Sequence, residues 1–498
     1  MESNNLASKI ISIISISSIL GIIFNYFFYQ KIPGISFLIY VILNILGLFI
    51  VSYFSKKKIN KQVIWLLIPL IFFSTMVFIR ASTLLTFLNM LASLILLLII
   101  AEISLNNNIK DFCIMDYLKI LFLPLQFIHP FLETISNFFS LQNTQNENKK
   151  TTHVIKGVII AIPILFIFLI LFSSADLIFK KYISSLININ SGPELIFKFI
   201  LIIIVAVIYI GVYSYIFQDK KERQEPKLKN QNNNISTIES YIILGSINIL
   251  FLLFIIIQIT YLFGGESNIS MQGFTYAEYA RKGFFELILV AILSFIILLS
   301  TEKYIKRKTS AYSLTFKILS TALVIQVVVI MISAFTRLSL YEEAYGFTTL
   351  RLYSHAFIIL LTVIFLLLLY KIYKNKQENT FTFNVLLSTI IFLITMNILN
   401  PDVFIANKNI ERFNNTGKLD PYYLGSLSSD AIAETSKMLN ILNDDLKAPL
   451  AYKLYWLNNN LNSAHYSKWQ SYNISRIEAK NILSSNISEL EKYKEIIK

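Results

Sequence analysis

The sequence predicts an all-α, polytopic transmembrane bundle of about eleven spans, followed by a small helical C-terminal extracytoplasmic domain. Three observations predict it. Apolar runs of about 18 residues or more recur along the chain, each long enough to cross a hydrocarbon core of about 30 Å. Charged residues make up 15% of the chain and hydrophobic ones 55%, with a mean hydropathy of +0.61, where soluble domains carry roughly 25% charge. The Lys and Arg residues gather in short loops between the apolar runs, as the positive-inside rule requires of a multi-pass protein.

Residues 6–28 form the first span. The run exceeds the roughly 7–15 apolar residues of a cleavable signal and no small-x-small site follows it, so it is expected to stay uncleaved. A turn with Pro33 and Gly34 leads to span two, 35–54, closed by the basic loop of Lys56, Lys57, Lys58 and Lys61. Spans three (63–79) and four (83–103) are separated only by Arg80, Ala81 and Ser82, which demands an antiparallel hairpin. Residues 1–103 thus read as an N-terminal four-span region.

Residues 104–153 are a cytoplasmic or interfacial amphipathic segment. Within it, 111–141 mixes Phe112, Ile114, Met115, Leu118, Leu121 and Phe122 with Asp116 and Lys119, and is broken by Pro124 and Pro130. Such a pattern suits a helix lying in the membrane interface or one packed beneath the bundle, and the sequence leaves both open. Residues 154–399 form a seven-span core: 154–173, 195–217, 240–263, 284–300, 314–335, 354–370 and 381–399. Residues 400–498 have ordinary soluble composition and read as a helical tail. Helix starts are legible at Asp420-Pro421 and at Ser428 or Ser429, and further helices carry Tyr452–Leu461 and Ile474–Leu483.

Charge sets the orientation. The basic loops after spans two, six, eight and ten, and the segment with Lys110, Lys149 and Lys150, all fall on one side, which should be cytoplasmic. The expected location is a bacterial plasma membrane, with the N-terminus cytoplasmic and the C-terminus extracytoplasmic. The net charge of +14 therefore belongs to membrane topology. The basic groups form no stripe with interleaved aromatics, so no nucleic-acid partner is expected. The expected partners are the lipid bilayer and an extracytoplasmic protein bound through 400–498. Cys113 is the single cysteine, which excludes an internal disulfide.

The most concentrated polar chemistry lies at residues 275–287, TYAEYARKGFFEL. Glu278 stands three and four residues before Arg281 and Lys282, and Lys282 four before Glu286, spacings that pair opposite charges on a helix. Glu286, about a turn inside span eight, is expected to sit in a buried cluster, unlike Glu302. A polar outer loop at 336–353 adds Arg337, Glu342, Glu343 and Arg351. Asp176 and Asp402 fall on the same side, so the candidate outer-face polar cluster is Asp176, Glu278, Arg281, Glu286, Arg337, Arg351 and Asp402. Two roles fit it: an ion- or ligand-handling site at the outer mouth, or a clasp of paired charges that fixes the helices. Asn44, Asn89, Asn248, Gln258, Gln326 and Asn397 lie inside spans and fit interhelical hydrogen bonding.

The four His residues show no metal-ligand spacing and no His-Glu-x-x-His helix occurs. Gly-x-Ser-x-Gly and phosphate-loop patterns are likewise missing. The sequence therefore offers no catalytic residue, no metal site and no cofactor.

Residues 276–287, with Ser174-Ala175-Asp176, Tyr261–Gly265, Tyr345-Gly346-Phe347-Thr348, Leu350-Arg351, Asn400-Pro401-Asp402 and, in the tail, Trp469, Asn473, Ser475, Arg476 and Ala479, resemble the signature of bacterial membrane proteins carrying domain of unknown function 4173. The likeness runs from about residue 161 to 479. Leu177 departs from it, since a proline is expected there. The resemblance implies a bacterial membrane location and supplies no catalytic residue. Three readings follow: a non-enzymatic membrane protein that senses or assembles through its outer face, a small-solute or ion transporter or channel, and a membrane enzyme at the outer leaflet.

Overall fold

The computed structural model describes residues 2–105, 108–142, 174–186, 192–218, 236–262, 284–304 and 314–494, with isolated positions at 157, 165, 168 and 172. Those residues are helical and contain no strand. The first four spans are α1 (Glu2–Phe28), α2 (Ile35–Ser55), α3 (Gln62–Ile79) and α4 (Thr83–Ile103). Three shorter helices follow: α5 (Ile114–Leu121), α6 (Leu123–Gln126) and α7 (Ile128–Gln142). Next come α8 (Leu177–Leu186), α9 (Gly192–Phe217), α10 (Thr237–Leu262), α11 (Phe284–Tyr304), α12 (Leu314–Tyr345), α13 (Thr349–Tyr373) and α14 (Glu378–Leu399). Among the described residues, nine helices are long and apolar enough to cross a membrane, and α11 packs beside them on α12. The chain is a multi-pass helical membrane protein.

Two apolar cores hold the spans. One gathers Ile13 and Leu20 of α1, Val41 and Leu48 of α2, Leu70 and Phe73 of α3, Leu96 and Ile99 of α4, and Ile210 and Phe217 of α9. The other gathers Leu244, Leu298, Leu323, Val327, Phe365 and Leu368 from α10 to α13. Helix α14 joins them, because Phe381 belongs to the second core whereas Leu393 and Met396 belong to the first. Large apolar side chains such as Trp65, Ile249 and Leu250 point away from both cores, as lipid-facing residues should. Pro69 sits within α3, a position a membrane helix tolerates because neighbouring groups can satisfy the freed backbone.

Between the spans, amides act as cross-links. Asn89 and Asn397 are fully buried and exchange two hydrogen bonds of 2.8 Å between α4 and α14. The Asn248 Nδ2 donates to Leu319 O at 3.1 Å, and the Gln326 Nε2 donates to Asn248 O at 3.1 Å, tying α10 to α12. The Tyr213 hydroxyl donates to Asn44 O at 3.3 Å. Each of these bonds satisfies a polar group that would be costly to leave bare in hydrocarbon.

The segment 111–141 folds as three short helices rather than one. Helix α5 and the α6–α7 stretch meet at a bend of 66°. Helix α7 packs on α1 and α9, where the Thr134 hydroxyl donates to Ser214 Oγ at 2.7 Å. The residues at the bend, including Leu121, Phe122, Leu125 and Ile128, are exposed and apolar, so the corner is greasy on the outside and pinned to the bundle on the inside. Pro124, in the first turn of α6, favours the break at Phe122, since proline has no N–H with which to continue the ladder of α5 and is tolerated only where a new helix begins.

The tail folds as α15 (Pro401–Thr416), α16 (Pro421–Leu424), α17 (Ile432–Thr435), α18 (Asp444–Leu461), α19 (Ile474–Ser485) and α20 (Ile487–Leu490). Asp420 caps α16, accepting from Tyr423 N at 2.9 Å, as the Asp-Pro pair suggested. Its apolar core includes Ile405, Leu424, Leu439, Leu450, Leu454 and Leu483, and takes in Leu352 of α13. The sequence-predicted polar loop at 336–353 is corrected: α12 stays helical through Tyr345 and the connection to α13 is only residues 346–348. Gly346, with φ +85°, makes that turn. A side chain there would be strained, because positive φ is costly for residues with a Cβ.

Candidate functional site

The tail lies across one end of the bundle, and its polar side chains terminate the span helices. Asp430 is the centre. Its carboxylate accepts from Ala81 N at 2.9 and 3.0 Å and from Ser82 N at 2.8 Å. These are backbone donors at the N-terminus of α4, where a helix presents unsatisfied N–H groups and partial positive charge. The opposite helix end in the same turn is treated in kind. The Asn473 Nδ2 donates to Val77 O at 3.1 Å and Arg80 O at 2.9 Å, and the Ser475 hydroxyl donates to Ile79 O at 2.9 Å. One tail surface thus caps the end of α3 and the start of α4.

Neighbouring span ends are gripped as well. The Arg476 Nη1 donates to Pro33 O at 3.2 Å, and Ile35 N donates to Tyr472 O at 2.9 Å, holding the α1–α2 turn. A Cβ on Gly34 would stand 2.7 Å from the backbone carbon of Ser471, so the close approach requires glycine. Arg80 Nε and Nη2 donate to Asn397 O at 3.1 and 2.8 Å, joining the α3–α4 turn to the end of α14. At the α12–α13 turn, Phe347 N donates to Asn409 Oδ1 at 2.8 Å and the Asn409 Nδ2 returns a bond to Phe347 O at 2.9 Å. Arg412 donates to Glu343 O and Ala344 O at 3.0 and 2.7 Å, and Thr349 N to the Tyr423 hydroxyl at 2.8 Å.

Asp402 lies beside Asp430, with Ser428 between them. Ser428 N donates to Asp402 Oδ2 and the Ser428 hydroxyl donates to Asp430 Oδ2, each at 3.3 Å. Burial pushes the Asp402 carboxyl above its usual 3.8, opposed by the Ser428 hydrogen bond and reinforced by the Asp430 charge. The folded state therefore holds the Asp402 proton more tightly than the unfolded chain. Unfolding releases it, so this group's contribution to stability falls as pH rises from about 4 through the raised value. We expect Asp402→Asn to raise the thermal midpoint at pH 7.5 and to lose that advantage as pH approaches 4. A midpoint difference independent of pH would show that the carboxyl carries no such strain.

Of the candidate polar cluster that the sequence offers, Asp402 and Arg351 reach this junction. Arg351 donates to Gly346 O and stacks 4.0 Å from the centroid of the Tyr341 ring, bracing the α12–α13 turn. Arg337 is partly buried further back along α12. Asp176 is exposed and caps α8, accepting from Phe179 N at 2.7 Å. Glu278 and Arg281 lie outside the described residues. The expectation for Glu286 is corrected: it is exposed in the first turn of α11. Glu302 instead occupies the buried site, 2.7 Å from Lys371 at the other end of the bundle, with both side chains under 5% exposed. The reason is geometric. Glu302 faces α13 and finds a cation there, whereas Glu286 lies on an exposed face of α11.

Sequence reasoning missed Asp430, Ser82 and Arg80 as a unit. It also missed the buried pair of Glu342 and His355, with His355 Nδ1 3.4 Å from Glu342 Oε2 between α12 and α13. Among the described residues no three His, Cys, Asp or Glu side chains group to hold a metal ion. Both carboxylates at the junction are engaged by backbone donors, so the arrangement fastens helices and offers no free general base.

A known family covers residues 67–438, from α3 through Asp430 and into the tail, under the description domain of unknown function DUF4153. The chain belongs to that family. The motif-based resemblance is thereby corrected in its number and its extent, while an uncharacterised domain family stands. No curated protein and no solved structure matches the chain. Within the DUF4153 region lie the Arg80–Ser82 turn, the Asn89–Asn397 pair, Arg351, Asp402 and Asp430, whereas Asn473, Ser475 and Arg476 follow it.

Proposed function

We propose that the chain is a non-enzymatic membrane protein whose tail, held rigidly on the span ends, is a platform for extracytoplasmic sensing or assembly. The observation that carries this reading is the Asp430 carboxylate seated on the N-terminus of α4. A tethered module would satisfy its own polar groups. Here the tail satisfies those of α3, α4 and the α1–α2 turn, so its position is built into the bundle. Tyr422, Ile441 and Trp456 remain exposed on the tail, in keeping with a protein partner, since aromatic anchors dominate such contacts.

Photo-crosslinkers placed at Ile441 and Trp456 in intact cells test the reading. We expect a discrete protein adduct at these positions that Asp430→Ala diminishes while the chain remains in the membrane. Solute flux in proteoliposomes of the purified chain, with no adduct, would replace assembly by transport.

The turns at 29–34, 80–82 and 346–348 share the tail's end of the bundle, and the basic loops favour the opposite end as cytoplasmic. We expect Cys113 to be labelled by an impermeant maleimide only from the cytoplasmic side, and a reporter fused to the tail to read outside. The reverse pair of results would invert the orientation.

A further inference from the structure

A cavity of about 200 Å³ opens in the tail beside the first hairpin, lined among others by Tyr466, Lys468, Trp469, Ser471, Arg476 and Lys480. Its chemistry is one-sided. Lys468 and Lys480 stand at the rim, and Arg476 lies 5.2 Å from the centroid of the Tyr466 ring. The twelve-residue helix α19 begins in the same wall at Asn473, whose side chain caps it by accepting from Arg476 N at 3.0 Å. Ser471 is 2% exposed, and among the described residues its hydroxyl oxygen has no hydrogen-bond partner. An orphaned hydroxyl in a buried wall is costly unless a ligand engages it.

The bundle brings further positive charge to this place. Lys31 donates to Tyr26 O and lies 4.5 Å from the Tyr26 ring centroid. Partial burial, then the nearby charges of Lys468 and Lys198, lower its pKa. Like charges gathered this way repel, and an anion relieves the repulsion. Asp430, whose charge reaches Arg476, is already bound to the backbone of α4. The level in the membrane is marked by aromatics: Trp469 meets Phe27 edge-to-face at 5.6 Å and lies 6.3 Å from Tyr26, and Tyr472 stacks 5.7 Å from Phe78. Rings at span ends sit at the headgroup layer.

We infer that this cavity is a phosphate-anion site, built from Lys468, Lys480, Arg476 and the Ser471 hydroxyl, that takes a lipid phosphodiester headgroup or free phosphate. The cavity has room for several waters' volume at roughly 30 Å³ each, enough for a phosphate group at its mouth. The inference goes beyond the platform reading, because every lining residue belongs to the tail and no protein partner is needed to form the site.

Native mass spectrometry of the full chain tests it, using equal amounts of phosphatidylglycerol and phosphate-free diacylglycerol, with and without millimolar inorganic phosphate. The wild-type chain should retain phosphatidylglycerol preferentially. The double variant K468Q/K480Q, at exposed or half-buried positions, should reduce that preference by about thirty-fold, a factor of roughly five for each lysine. Displacement of the lipid by phosphate identifies the free anion as a ligand, and persistence identifies the headgroup; either supports the site. Ser471→Ala gives a separate measure. With an anion bound it should weaken retention, whereas without one it should only stabilise the tail by deleting an orphaned hydroxyl. Equal retention of both lipids with no effect of phosphate, or retention unchanged in K468Q/K480Q and S471A, would overturn the inference.

Discussion

Glu302→Ala should lower the thermal midpoint and the folded yield of the detergent-solubilised chain more than either Asp430→Ala or Glu286→Ala, by about 3–5 kcal/mol of stability. The substitution leaves the Lys371 ammonium, 3% exposed in its side chain, without the carboxylate that lies 2.7 Å away. Phe381, whose ring centroid lies 5.5 Å from the Lys371 Nζ, can offset only part of that loss. Removing both charges together, as Glu302→Met with Lys371→Met, should recover most of the stability, because the cost lies in the unpaired charge rather than in the absent attraction. Glu286→Ala provides the contrast. Being exposed, it should stay within about 0.5 kcal/mol of wild type. Equal losses for Glu286→Ala and Glu302→Ala, read by fluorescence-detected size exclusion after heating, would refute the buried pair.

Asp430→Ala should release the tail. It removes the acceptor for Ala81 N and Ser82 N at once and strands two donors at the start of α4. The expected cost is about 1–3 kcal/mol for the unsatisfied group, with a further loss of favourable charge at the helix terminus. The clearest readout is limited proteolysis in proteoliposomes. The tail of the variant should be cut several times faster, at sites around 417–420, while the spans stay protected. Asp430→Asn keeps one acceptor oxygen and should fall between. If tail cleavage is the same in all three chains, the Asp430 contact does not hold the tail.

The apolar runs made the spans legible, because a membrane helix must be continuous and apolar and little else satisfies those rules. The tail's helix starts were legible too, since Asp420-Pro421 and Ser428 carry their capping chemistry locally. Partners across the chain were not. Ser428-Ser429-Asp430 reads as a local cap in any sequence, and nothing nearby says that the carboxylate serves a helix 349 residues earlier. Glu302 and Lys371, 69 residues apart, were invisible for the same reason, while the close spacing of Glu278, Lys282 and Glu286 drew attention to a stretch of which only the end, with Glu286, lies among the described residues. The motif residues fared better. Gly346, Phe347, Arg351, Asp402, Asn473, Ser475 and Arg476 stood out in the sequence, and each takes part in fastening the tail or its turns.

The capping of α4 by Asp430 also sets an order of events during synthesis. The turn at Ala81 and Ser82 leaves the ribosome 349 residues before the carboxylate that completes it, a delay of roughly 20–70 s at ordinary elongation rates. Through that interval the first two hairpins stand in the bilayer with open ends and Asn89 waits for Asn397. Assembly is closed from the C-terminus, like a lid screwed down last, so a chain stalled or truncated before residue 430 would carry the described spans and the Asn409 and Arg412 contacts at the α12–α13 turn, but not the caps on α3 and α4.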